Sequence, residues 1–264
     1  MGAWTLSKLW KSRGRYRQDG GYRFEGADIK RDITDKYGPQ GELLEIFVTT
    51  KDSLVHKWHH YLPLYERYFA PFRTRSGVPL RFLEIGVSQG GSLDMWRRYF
   101  GPEAIIFGID IDPACAAFNG KAGQVRIGSQ DDPAFLRAVV EEMGGVDLVL
   151  DDGSHVMAHI KASLLTLFPL VSPGGIYMIE DLHSAYWKDF GGGHASPANV
   201  FNFIRSSVDD MHRWYHQVPV AHPEVAMDLT GIHVHDSIVV LDKAKVYPPT
   251  HSRVGVQAGR KAKG

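Results

Sequence analysis

The chain has 264 residues, 44% of them hydrophobic, which suits one α/β domain with additions and makes a large second domain unexpected. Lys plus Arg and Asp plus Glu number 30 each, so no global field draws nucleic acid, an anionic membrane or a polyacidic substrate. Cys115 is the only cysteine, which excludes an intrachain disulfide framework, a multi-thiolate zinc site and a Cys-x-x-Cys redox pair. No apolar run approaches the ~20 residues that span a bilayer, and no signal-peptide pattern opens the chain, so a cytoplasmic protein is expected.

Residues 1–30 read as a basic, Gly-rich arm carrying Trp4, Trp10, Tyr16 and Tyr22, either a loose tail or a lid or oligomer arm. Residues 31–77 read as a helical cap. Its pattern is largely helical from Leu43 to Phe72, interrupted at Pro63 and broken at Pro71, with Arg73 to Pro79 as a linker. The core is expected over 78–245, with a tail over 246–264. Strands are predicted at Leu80 to Ile85, Ile105 to Ile109, Asp147 to Leu150 and Ile176 to Ile179, the last after a turn at Ser172-Pro173-Gly174-Gly175. Helices are predicted near Ser92 to Phe100, Asp132 to Met143, Ala158 to Phe168 and Asn199 to Tyr215. Such alternation predicts a doubly wound, mostly parallel sheet with helices on both faces. Strands near Gly231 to His235 and Ser237 to Leu241 lie too close for a helical crossover, so an antiparallel closing pair is expected.

Two acidic clusters close apolar runs: Asp151-Asp152-Gly153-Ser154-His155 and Glu180-Asp181. Neighbouring parallel strand ends bring them together, and carboxylates converging at one rim repel each other unless a cation sits among them. Oxygen ligands favour a hard ion such as Mg²⁺. After the first core strand, Glu84-Ile85-Gly86-Val87-Ser88-Gln89-Gly90-Gly91-Ser92 makes a Gly-rich turn into a helix, allowing close backbone approach by a ligand. Its spacing fits neither the dinucleotide pattern nor a phosphate loop. Asp110 ends the second strand about 20 residues beyond the glycines, where an acid accepts ribose hydroxyls. Gly128-Ser129-Gln130-Asp131 offers amide and hydroxyl groups suited to the edge of an adenine.

In order and spacing, Glu84 and Gly86 before Ser92, then Asp110, Ser129, Gln130, Asp131, Asp151 and the closing strands resemble the class I methyltransferases that use S-adenosylmethionine. The resemblance covers residues from about 80 to 242. Asp-Asp-Gly-Ser-His paired with Ile-Glu-Asp-Leu, after Leu-Glu-Ile-Gly-Val, narrows it to the metal-dependent sugar O-methyltransferases of the mycinamicin and tylosin type. The resemblance implies Mg²⁺ held by Asp152, Glu180 and Asp181, with His155 as general base toward a sugar hydroxyl, and elementary acid–base chemistry gives the same division. Asp151 faces opposite to Asp152 on an extended chain and is read as a cofactor contact. His60 and Tyr61 sit where the family's preceding helix closes over the cofactor. Tyr186, Trp187 and the Phe190 loop are either a substrate wall or ordinary packing. His183 is either a substrate contact or a surface-loop histidine.

The expected activity is thus O-methylation of a sugar hydroxyl in a glycosylated natural product or a saccharide, by a homo-oligomer without nucleic-acid or membrane partners. Alternatives are a catechol-type small-molecule methyltransferase, a cephalosporin-hydroxylase-like oxygenase and a catalytically silent scaffold.

Overall fold

The computed structural model describes residues 22–38, 40–73 and 77–255. Most of the expected basic arm therefore lies outside the described residues. The cap begins earlier than expected, with helix α1 (Ile29–Tyr37), which Asp28 caps by accepting from the Arg31 amide at 2.9 Å. The predicted helical stretch over 43–72 is two helices, α2 (Glu42–Thr49) and α3 (Leu62–Arg73), joined by a strap over residues 50–61. Pro63 does not interrupt: it sits in the first turn of α3, where a missing N–H costs nothing. Pro71 falls in the last turn, so the helix runs on to Arg73.

The core follows as β1 (Arg81–Ile85), α4 (Gly91–Phe100), β2 (Ile105–Asp110), β3 (Gln124–Ile127), α5 (Pro133–Met143) and β4 (Val146–Asp151). It closes with α6 (Met157–Leu167), β5 (Val171–Ile179), α7 (Val200–Met211), the short α8 (Pro223–Ala226), β6 (Leu229–His235) and β7 (Ile238–Lys243). The strand order is β3-β2-β1-β4-β5-β7-β6, with β7 antiparallel to both β5 and β6. The doubly wound, mostly parallel sheet and its antiparallel closing pair are as expected.

Alternate residues feed two apolar layers, as strand periodicity demands. Leu83, Val149 and Tyr177 face α5, α6 and α7, whereas Phe82, Leu148 and Met178 face α2, α3 and α4. The cap is thus the second helical layer of the sheet. Its aromatic centre joins Tyr65 and Phe69 of α3 to Trp96 of α4 at 5.1 and 5.3 Å between rings.

Two expectations fail locally. Ser172 to Gly175 form a bulge inside β5, marked by a register shift opposite Val146 and Leu148. Arg81 anchors the bulge by donating to Ser172 Oγ at 2.9 Å. Helix α7 stops at Met211, where His212 Nδ1 meets the Val208 carbonyl oxygen. The Asp210 carboxylate then accepts from the Ala221 and His222 amides and draws the chain back.

Candidate active site

Strand register builds the site. Ile109, Ile85, Asp151 and Ile179 form one row across β2, β1, β4 and β5, so the next residues, Asp110, Gly86, Asp152 and Glu180, end side by side at the carboxyl edge. The order reverses between β1 and β4, which is where open α/β sheets leave a crevice. The crevice is a cavity of about 390 Å³, within the range of small-molecule sites. Gly86 makes it possible: at φ 99° its missing Cβ would fall 2.1 Å from the Asp152 carbonyl oxygen, so only glycine lets the two loops meet.

The sheet side of the cavity contains Gly86, Ser92, Asp110, Ser129 and Gln130. Asp110 Oδ2 accepts from the Val87 and Ser88 amides at 2.9 Å, and Oδ1 from the Asp112 amide at 2.9 Å. Burial alone would raise its carboxyl; the three amides win and hold it below the usual range. Gln130 is clamped by Asp151, and its side-chain oxygen accepts from the Ser154 amide at 2.6 Å.

Asp151 itself lies beneath the cavity, 1% exposed, accepting also from Ser163 and Tyr177 at 2.6 and 2.8 Å. It therefore sets Gln130 and is not part of the wall, because β4 is buried on both faces to its last residue. Glu84 is likewise sealed, accepting from Ser92 Oγ and Trp96 Nε1. Asp131 is exposed and lies 3.5 Å from His159, which also meets Ser154.

His60 and Tyr61 are displaced from their expected place, because the chain crosses the cavity before α3 begins: Leu54 to Lys57 supply that wall instead. His60 Nε2 meets the Asp236 carbonyl oxygen at 3.3 Å, and Tyr61 donates to Asp181 Oδ1 at 2.7 Å.

At the cavity's other end, Asp152, His155 and Asp181 each offer one ligand atom, all within 4.8 Å of one another. His155 Nε2 stands 3.9 Å from Asp152 Oδ1 and 3.8 Å from Asp181 Oδ2, beyond hydrogen-bond range. Both His155 and Asp181 take φ of 57°, a conformation that costs non-glycine residues about 1–3 kcal/mol and gathers at working sites. The Ser184 hydroxyl on the His155 carbonyl helps hold that turn. Glu180 is not in this triad. It is 2% exposed, and its two oxygens accept from Lys57 and Tyr65.

Burial, then the neighbouring Asp152 charge, lifts Glu180 well above the carboxylate range; burial also lifts Asp152 against the pull of Lys57. Glu84 is pushed up to about 7 by burial, again opposed by Lys57. Burial disfavours the Lys57 ammonium, but Asp152, Glu180 and Glu84 outweigh it and raise its pKa. Three carboxylates thus gather around one ammonium, an excess of acidic oxygen that fits a hard dication.

Sequence reasoning missed Lys57, Tyr65 and Trp58. A lysine in an aromatic run reads as solvated, and nothing local shows that its partners are 95 and 123 residues away. His183 stands beside the site, Nδ1 3.9 Å from Asp181 Oδ1: its ring contacts Trp58 and Trp187 at 5.3 and 4.9 Å, and Nδ1 meets Ser237 Oγ at 2.6 Å. Trp187 in turn lies 5.8 Å from Phe190, so the aromatics continue along this rim, whereas Tyr186 packs on Phe201 of α7.

Residues 83–182 match the family described as a methyltransferase domain. With the sheet order and the glycine turn, that gives the chain a Rossmann-like methyltransferase fold. More narrowly, its relatives act on sugars of antibiotics. The 8-demethyl-8-(2-methoxy-alpha-L-rhamnosyl)-tetracenomycin-C 3'-O-methyltransferase of Streptomyces olivaceus is 39% identical over 229 residues, covering 82% of this chain and 57% of that protein. Mycinamicin VI 2''-O-methyltransferase of Micromonospora griseorubida is 34% identical, covering 77% and 52%. The structure of the MycE methyltransferase from the mycinamycin biosynthetic pathway, in complex with Mg, SAH and mycinamycin VI, superposes with a TM-score of 0.67 at 32% identity, covering 78% of this chain and 54% of that one. The chain thus spans about half the length of the relatives it matches. No helix among the described residues is long and apolar enough to cross a membrane.

Proposed function

We propose that the chain transfers a methyl group from S-adenosylmethionine to a hydroxyl of a sugar, in a glycosylated natural product or a saccharide, with Mg²⁺ at Asp152, Asp181 and Glu180. The observation that carries this is the convergence of Asp152, His155 and Asp181 at the end of a cavity whose opposite end is lined by Asp110, Ser129 and Gln130. The methyl donor supplies an electrophilic carbon, and a divalent cation makes an alcohol acidic enough to lose its proton near neutral pH.

The chain's own residues do the rest. Asp110 holds the donor's ribose while the glycine turn carries its backbone close. Asp152 and Asp181 fix the cation, and His155 Nε2, between them, accepts the hydroxyl proton. Glu180, whose two oxygens accept from Lys57 and Tyr65, would add its charge to the carboxylate set around the cation, behind Asp152. Trp58, His183, Trp187 and Phe190 offer ring faces to a sugar's C–H surface.

The purified chain is to be assayed with S-adenosylmethionine and Mg²⁺ on rhamnosyl glycosides and on catechols. Methylated glycoside, lost on chelation and reduced about 10²- to 10⁴-fold in His155→Ala, is the expected result. S-adenosylhomocysteine affinity should stay unchanged in that variant. Methylation of catechols alone, or full turnover in His155→Ala, sinks the reading.

A further inference from the structure

The strap between α2 and α3 is held to the sheet in an unusual way. Its backbone rests on the start of α4, where a Cβ on Gly91 would fall 2.2 Å from the Leu54 carbonyl oxygen. Leu54 is nonetheless 71% exposed, and Lys51 and Asp52 are exposed as well, so the apolar anchorage of this stretch is confined to the half-buried Val55 and Trp58. Ahead of Tyr61, which leads into α3, its one buried residue is Lys57, whose side chain is 2% exposed and whose ammonium lies 2.5 Å from Asp152 Oδ2 and also binds Glu180. Residues on either side face different ends of the site: Val55 and His56 line the cavity, while Trp58 packs against His183.

We infer that Lys57 is a positioning residue that latches the strap onto the acidic cluster. A single ammonium shared by Asp152 and Glu180 performs two tasks. It closes the strap side of the methyl-donor cavity, and it takes up one oxygen of Asp152 so that the other, Oδ1, is turned toward His155. A buried ion pair stripped of one partner leaves an uncompensated charge, which makes the latch costly to open. Such supporting contacts tune ligand carboxylates through orientation. The inference rests on the cavity taking an S-adenosyl compound, but not on the identity of the acceptor.

The test is hydrogen exchange of the full chain, read over residues 50–58 and over β4, with calorimetric titration of S-adenosylhomocysteine alongside. Lys57→Met should speed exchange of the strap at least tenfold while β4 is unchanged, and weaken S-adenosylhomocysteine at least tenfold. Lys57→Arg should recover part of both effects. Should Lys57→Met fail to fold with two facing carboxylates left unpaired, Lys57→Met combined with Glu180→Gln removes a charge from each side and keeps the strap readout. Unchanged strap exchange in the folded variant overturns the latch whatever the affinity. If the parental chain does not bind S-adenosylhomocysteine, the cofactor reading fails, and the strap exchange still decides the latch.

Discussion

The two walls of the cavity are built on opposite principles. On the sheet side, position comes from backbone: four strand ends in register place Asp110, Gly86, Asp152 and Glu180 in a row, and amide groups orient Asp110. On the strap side, position comes from side chains far apart in the chain: Lys57 on Asp152 and Glu180, Tyr61 on Asp181, Tyr65 on Glu180. A wall fixed by register holds as firmly as the sheet itself, whereas one fixed by ion pairs depends on charge.

Glu84 sits where the walls meet, on β1 but within the field of Lys57, and it carries the largest expected effect. Its carboxyl rises from 4.5 to about 7 because burial outweighs Lys57. The folded chain therefore keeps a proton that the unfolded chain releases. The stabilising contribution is fully present below pH 4.5 and is lost as pH rises through about 7, amounting to about 3 kcal/mol. Urea unfolding between pH 4.5 and 8 should show this fall in the parental chain and a flatter profile in Glu84→Gln. Equal slopes in the two chains would mean that Glu84 keeps no extra proton in the folded chain and that burial does not outweigh Lys57 there.

The contrast also explains what the sequence disclosed. Apolar runs ending in Asp151-Asp152 and Glu180-Asp181, and Gly86 after Glu84, announce strand ends, because buried parallel strands and tight loops leave local marks. The sheet wall was legible for that reason. Asp151 and Asp152 are adjacent, yet one is clamped under the cavity and the other opens into it; alternation separates them but does not say which side holds the ligand. The strap wall was not legible: the family resemblance puts His60 and Tyr61 at the cofactor, whereas Leu54 to Lys57, just ahead of them, line the cavity.

The next effect in size separates the walls directly. Asp110→Asn removes the charge proposed to meet the donor's ribose hydroxyls, along with one of the two oxygens that accept from backbone amides, and charge-assisted bonds of this kind contribute about 1.5–3 kcal/mol. Calorimetry should show S-adenosylhomocysteine weakened roughly tenfold to a hundredfold. Tyr61→Phe, which removes the donation to Asp181 Oδ1 and the acceptance from the Asp181 amide, should leave that affinity unchanged. Equal losses in both would place Tyr61 in the donor's site and erase the distinction between the walls.

The smallest effect concerns the rim beyond Asp181. Trp187 is half-buried, its ring 4.9 Å from His183 and 5.8 Å from Phe190, and it is not among the residues that line the cavity with Asp110 and the glycine turn. Removing the ring therefore should not alter the donor. A sugar packed on it loses one aromatic face, about 1 kcal/mol, so KM for a glycoside should rise roughly fivefold in Trp187→Ala with kcat nearly kept. An unchanged KM would leave Trp187 as packing for His183 alone. A fall in kcat with KM unmoved would instead show that the ring steadies His183 beside Asp181, whose carboxylate stands 3.9 Å from that histidine.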